Sequence, residues 1–170
     1  NTLFVLSSDN GGERYSDNRP LFHHKSTLWE GGIRVPCLMR WPARLPRGKV
    51  TNQVGITMDL SATFATIAGA IPAQDRPFDG IDLLPILTGD KKEQTRTLYW
   101  RIDRASRQQK VVRHGPWKYI QDSNVEMLFN LEEDISERRD VAFQNPAVFA
   151  ELKARIKEDL AGNAKARAKA

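Results

Sequence analysis

At 170 residues, with 40% hydrophobic and 28% charged side chains, the chain is long enough for one compact domain, or one and a fraction, with its own core. No apolar run approaches the roughly 20 residues of a membrane-spanning helix, and a single cysteine excludes an internal disulfide framework. The balance of 26 basic over 21 acidic residues, +5, favours loose attraction to anions, but no nucleic-acid-binding module accompanies it and nucleic acid is not an expected partner.

The chain opens on Thr2-Leu3-Phe4-Val5-Leu6, an apolar run that predicts a strand buried on both faces of a parallel sheet. Opening in a strand, with neither Met nor a basic leader, it is expected to be a piece of something longer. Ser8-Asp9-Asn10-Gly11-Gly12 follows, at the carboxyl end where open α/β sheets place ligands. The Asp9 carboxylate beside the Asn10 side-chain carbonyl suits a hard cation, Ca²⁺ or Mg²⁺. Asp-Asn-Gly-Gly is equally the spelling of a plain turn, and on four letters alone the turn is the better reading.

Residues 11–24 read as loop, from Gly11-Gly12 through Ser16-Asp17-Asn18 to Arg19-Pro20. His23 and His24 stand next to Lys25. Either could face a substrate and charge near neutral pH; an exposed loop pair, without metal-ligand spacing, is the favoured alternative. Lys25 by itself is a solvated surface charge. Glu30-Gly31-Gly32 predicts a tight turn in which Glu30 braces Lys25 or Arg34.

Residues 35–41 predict a second short buried strand carrying Cys37, there a small hydrophobe. Val54 to Gly69 predicts a helix with its lead-in, capped by Thr57 or Asp59 and striped by Leu60, Phe64, Ile67 and Ala68. Asp79 to Gly89 reads as a turn and short helix packing Leu83, Leu84 and Leu87. From about residue 95 the pattern turns antiparallel. Leu98 and Trp100 alternate, Val111-Val112-Arg113 leads to a His114-Gly115-Pro116 turn, Trp117 to Ile120 returns, and Met127 to Leu131 makes a fourth strand. His114 is left as either a substrate-side turn residue or a solvated one. Trp117 and Tyr119 read as core. Asn145 before Pro146 predicts a helix start, with Phe149, Leu152, Ile156 and Leu160 as its stripe and Glu151–Arg155 as an exposed pair. Arg101, Arg104, Arg107 and Lys110 read as a solvated basic face.

In order and spacing, these motifs resemble the sulfatase family, arylsulfatase-like members of the alkaline phosphatase superfamily. The residues that carry the likeness are Ser8-Asp9-Asn10-Gly11 after a strand and Lys25 five residues before Glu30-Gly31-Gly32. Arg34, Pro36 and Trp41-Pro42 continue it, followed by Asp79-Gly80-Ile81-Asp82-Leu83-Leu84-Pro85-Ile86-Leu87-Thr88-Gly89. Gly115-Pro116-Trp117-Lys118-Tyr119 and Leu128-Phe129-Asn130-Leu131 complete it, so that it covers about the first 160 residues.

The resemblance implies an α/β fold. Residues 1–90 would be the C-terminal part of a large mixed or parallel sheet domain. Residues 91–161 would form a small α+β subdomain, a four-stranded antiparallel sheet with a C-terminal helix, and residues 162–170 a flexible basic tail. It implies a sulfuric ester hydrolase with Ca²⁺ (Mg²⁺ possible) on Asp9 and Asn10, Lys25 on the sulfate, and His23, His24 and His114 as weaker substrate-side candidates. A formylglycine, made from Cys in Cys-x-Pro-x-Arg or Cys-x-Ala-x-Arg, is expected in an N-terminal part of the same protein. Cys37-Leu38-Met39-Arg40-Trp41 does not fit that motif, so the piece alone is expected to be inactive. The expected partners are that N-terminal part and a small-molecule or carbohydrate sulfate ester. The parent is expected in the periplasm, outside the cell or in lysosomes, although no targeting segment is visible. A phosphonate or phosphate monoester hydrolase of the same superfamily, and a non-catalytic binding protein keeping the fold, stand as alternatives.

Overall fold

The computed structural model describes residues 1–71, 75 and 77–167, with side chains up to Gly162. Two compact units emerge: residues 1–6 with 38–95, and residues 7–37 with 96–170. The second unit thus joins the loop and short helix that precede Cys37 to the strands that begin at Thr97.

Strands β1 (Phe4–Ser7) and β2 (Cys37–Arg40), which lie in the first unit except for Ser7 and Cys37, pair as a two-stranded sheet. Both strands lie where they were predicted, but neither is buried: Phe4 is 60% and Leu38 61% exposed. Each strand has the other as its sheet neighbour, and only Val5 and Met39 of the two strands are half-buried. Cys37, expected inside such a strand, is exposed.

The Glu30-Gly31-Gly32 segment of the second unit, expected as a tight turn, forms the single-turn helix α1 (Glu30–Ile33), and in the first unit helix α2 spans Thr57–Ile67 with Ile56 as its N-cap. Asp59 therefore stands at the third helical position and reaches back, its Oδ2 accepting from the Ile56 N–H at 2.8 Å while Oδ1 accepts from the Ile81 N–H at 2.9 Å. Thr63 Oγ1 accepts from the Leu83 N–H. The buried face of α2 is thus Asp59, Ala62 and Thr63, and Phe64 of the expected stripe is largely exposed. Polar groups that tie down the next segment won the inward positions. Helix α3 (Leu84–Thr88) buries Leu84 and Ile86 beside Leu83 and ends on left-handed Gly89.

The second unit is built on an antiparallel sheet in the order β3 (Thr97–Arg104), β4 (Arg107–His114), β5 (Trp117–Asp122) and β6 (Val125–Asn130). Its register puts Trp100, Val111, Ile120 and Met127 side by side on one face, and Tyr99, Val112, Tyr119 and Leu128 on the other. Adjacent residues of a strand point to opposite faces, so the apolar pairs Val111-Val112, Tyr119-Ile120 and Leu128-Phe129 demand cover on both sides. One face is covered by helix α4 (Pro146–Arg167), through Leu152, Ile156 and Phe149. The other is covered by Phe22, Leu28, Trp29 and Ile33. Phe22 stands edge-on to Trp29, and Trp29 in turn meets Phe129 with ring centroids 5.7 Å apart. The predicted Glu151–Arg155 pair forms at 2.8 Å.

The loop cover is also stitched by polar groups. Gln109 Oε1 accepts from the Leu28 N–H, Asp122 Oδ2 accepts from Trp29 Nε1–H and Gln109 Nε2–H, and Arg107 donates to the Ser26 carbonyl. Leu128 is fully buried at the junction of sheet and helix. Leu128→Ala should therefore lower stability by about 2–5 kcal/mol, read as a lower denaturant midpoint with unchanged slope.

Candidate active-site loop and its support

Strand β1 ends at Ser7, and Asp9 and Asn10 lie just beyond its carboxyl end. Ser8 Oγ donates to the Asn10 carbonyl at 2.8 Å. Asn10 Nδ2 donates to the Gly11 carbonyl at 3.0 Å, so the amide oxygen is turned the other way and left for another partner. Asp9 is exposed and Asn10 half-buried.

Three backbone segments then cross at contact distance. The Gly11 N–H donates to the Gly32 carbonyl, the Gly31 N–H to the Phe22 carbonyl, and the Lys25 N–H to the Gly12 carbonyl, all within 2.8–2.9 Å. A Cβ on Gly11 would sit 1.8 Å from the Gly31 carbonyl oxygen, and one on Gly31 would sit 2.4 Å from two carbonyl oxygens. Only glycine permits such an approach. The glycines of Asp9-Asn10-Gly11-Gly12 and Glu30-Gly31-Gly32 are therefore one packing device, and it sets the Asp9-Asn10 segment against the lysine loop.

Lys25 Nζ lies 3.0 Å from Glu13 Oε1, both groups being largely solvent-facing. Glu13 raises the Lys25 ammonium above its ordinary value, and the Asp9 charge adds to this. Lys25 in turn holds the Glu13 carboxyl low, with a smaller contribution from His24. Asp9, Glu13, His24 and Lys25 thus share one local field. His24 Nδ1 lies 2.9 Å from the Lys25 carbonyl.

His23 sits at φ 68°, its ring 4.7 Å from that of His24, with Nδ1 buried and without a hydrogen-bond partner. Burial pushes its pKa down, helped by His24 and Arg107 and opposed by Asp122. His114 is the last residue of β4, with Nδ1 2.8 Å from Thr97 Oγ1, to which Arg155 also donates. Arg107, which holds Ser26 beside Lys25, is the first residue of the same strand. Seven residues of extended chain, about 23 Å, separate the two ends.

Glu30 does not brace Lys25. Its Oε2 accepts from Arg34 Nε at 2.6 Å, as one of the two expectations had it, and its Oε1 lies 2.9 Å from Lys118 Nζ. Lys118 is 0% exposed and also meets Glu137 Oε1 at 2.7 Å, while Glu137 Oε2 accepts from the Glu30 N–H at 2.6 Å. Burial raises the Glu30 carboxyl, but Lys118 and Arg34 together outweigh it and hold it below the ordinary range. For Glu137, burial wins and the pKa is raised. Sequence reasoning assigned neither Lys118 nor Glu137 a role. The alternation of β5 did contain a signal, because Lys118 falls on the same face as Ile120.

Cys37 shows no sign of activation: its thiol is pushed up by partial desolvation, with no cation to lower it. Among the described residues no group of three or more His, Cys, Asp or Glu side chains could hold a metal ion. No helix of the described residues is long and apolar enough to cross a membrane.

This fold, with its four-stranded sheet and C-terminal helix, is the C-terminal region of a sulfatase. Residues 20–166 match the family described as N-sulphoglucosamine sulphohydrolase, C-terminal, and the chain belongs to it. It is 39% identical over 109 residues to N-acetylgalactosamine-6-sulfatase of Canis lupus familiaris, a match covering 61% of this chain and 21% of that protein. It is 42% identical over 99 residues to steryl-sulfatase of Mus musculus, covering 52% and 16%. The crystal structure of Ps i-CgsB superposes with a TM-score of 0.85 at 33% identity, covering 93% of this chain and 36% of the other; the same protein is known in complex with k-i-k-neocarrahexaose. The chain thus spans about a fifth of the length of the curated relatives it matches.

Removing Lys118 strands two buried carboxylates. Lys118→Met should cost about 3–5 kcal/mol and Lys118→Arg less, measured by chemical denaturation. The depressed Glu30 carboxyl contributes stability that is present above its unfolded pKa, near 4.5, and lost as pH falls through the lower folded value. The stability gap between wild type and Glu30→Gln should therefore shrink on acidification below about pH 4.5, a trend that denaturation at stepped pH checks.

Proposed function

We propose that this chain forms one side of the catalytic cleft of a sulfuric ester hydrolase. The observation that carries the reading is the glycine-tight crossing that puts Lys25 and Asp9 in one electrostatic cluster, in a chain of a sulfatase family. An exposed carboxylate and a turned amide oxygen fit a hard cation. Asp9 and Asn10 would hold Ca²⁺, or Mg²⁺, together with ligands from elsewhere in the whole enzyme. Lys25 would pair with the sulfate ester and neutralise charge as it builds on the leaving oxygen. His24 shares the field of this cluster and is the better placed of the three histidines to meet substrate.

A formylglycine in the N-terminal part of the same protein would supply the nucleophile that attacks sulfur. No residue of this chain takes that role, because its one cysteine stands outside the required motif. Two neighbours point to a sulfate ester on a carbohydrate as the substrate class: a relative named for N-acetylgalactosamine-6-sulfate chemistry, and a structural neighbour solved with an oligosaccharide. Export to the periplasm, the cell exterior or lysosomes accords with that class of substrate.

In the intact enzyme, Lys25→Ala should lower kcat/KM for an aryl sulfate by about 10²- to 10³-fold. Purified residues 1–170 should give no turnover of that ester, and calorimetry on them should show Ca²⁺ binding in the ~millimolar range or weaker. Turnover by the purified chain, or an unaffected Lys25→Ala enzyme, would overturn the assignment.

A further inference from the structure

We propose that Glu13 sets the charge selectivity of the Lys25 anion site, admitting singly charged sulfate monoesters in preference to doubly charged phosphate monoesters. The inference rests on the reading of Lys25 as the sulfate-binding lysine.

Glu13 is not a loose surface side chain that happens to lie near a lysine. Its carbonyl accepts the Ser16 N–H at 2.9 Å, and its neighbour Gly12 accepts the Lys25 N–H at 2.8 Å. Asn18 Oδ1 occupies the space beside Gly12, 2.3 Å from where a Cβ would lie, and Asn18 Nδ2 donates to the Gly12 carbonyl. The backbones bearing Glu13 and Lys25 are therefore fixed to each other, and the carboxylate lies 3.0 Å from the ammonium.

An anion that docks on Lys25 must accept a carboxylate a few ångströms away. The lysine offers one positive charge, and Glu13 has already answered it. A sulfate monoester brings one negative charge to that site; a phosphate monoester above its second pKa of about 6 brings nearly two. At ~6 Å in largely aqueous surroundings, each further unit of negative charge beside a carboxylate weakens binding by about three- to tenfold. Asp9 repels as well, but it acts equally with or without Glu13.

The test uses the intact protein with isotope-labelled lysine side chains, at about pH 8, where the phosphate ester is fully charged, and at low salt. Methyl sulfate and methyl phosphate are titrated into wild type, Glu13→Gln and Glu13→Asp while the Lys25 side-chain resonance is followed. Glu13→Gln should tighten methyl phosphate by about three- to tenfold more than methyl sulfate, and Glu13→Asp should keep most of the wild-type preference. High salt should erase the difference. Equal changes for both esters, or none, overturn the role of Glu13 and leave the sulfatase reading standing. If neither ester moves the Lys25 resonance of the wild type, both fall together.

Discussion

The second unit depends on a lysine that has no access to water. Lys118 lies inside the sheet layer with its ammonium between Glu30 and Glu137, and Glu137 also accepts the Glu30 backbone N–H. A buried ion cluster of this kind contributes little net stability against an apolar replacement of the same shape, because desolvating the charges offsets their attraction. What it contributes is position. A hydrophobic contact between a loop and a sheet can slide by a residue, whereas a lysine that must satisfy two carboxylates can do so in one arrangement only. The cluster thereby fixes the Glu30-Gly31-Gly32 turn on the sheet. The turn fixes the backbone crossings at Gly11 and Phe22, and the crossings fix the loop that carries Lys25.

The apolar packing follows from the same arrangement. Phe22, Leu28, Trp29 and Ile33 come from the loop and turn, yet they form the cover of one face of the four-stranded sheet. Helix α4 covers the opposite face. Each strand therefore needs apolar residues at successive positions, which Val111-Val112, Tyr119-Ile120 and Leu128-Phe129 provide. The site loop is one layer of the core rather than an appendage to it, and this accounts for its order despite its wealth of glycine.

Much of this was legible in the sequence where a local rule decides the outcome. The four antiparallel strands, the helix after Asn145 and the apolar stripe through Leu152 and Ile156 follow from alternation and periodicity. What stayed hidden was decided by partners distant in the chain. Strand β1 is as apolar as a core strand, yet Phe4 and Leu6 are exposed, because burial belongs to whatever layer lies over a strand and not to its letters. In helix α2 the inward face was taken by Asp59 and Thr63, whose bonds run to Ile81 and Leu83, more than fifteen residues on. His114 reads as a turn residue near a cleft, but the register makes it the strand end that bonds Thr97. The glycines of the sulfatase motifs are ones that backbone contact requires, at Gly11 against the Gly31 carbonyl and at Gly31 against the Phe22 and His23 carbonyls.

Two lysines show why letters alone leave the chemistry open. Lys25 and Lys118 each pair with glutamate at about 3 Å, and neither sequence context distinguishes support from function. Solvent does. Lys118 cannot leave its partners without stranding two carboxylates in the interior, at a cost of several kcal/mol, so it is bound to a structural task. Lys25 can leave Glu13 for an incoming anion at little cost, because water takes over the released carboxylate. A binding group must be able to change partners. The exposed lysine, held in place by a loop that the buried one secures, is the one whose surroundings permit it.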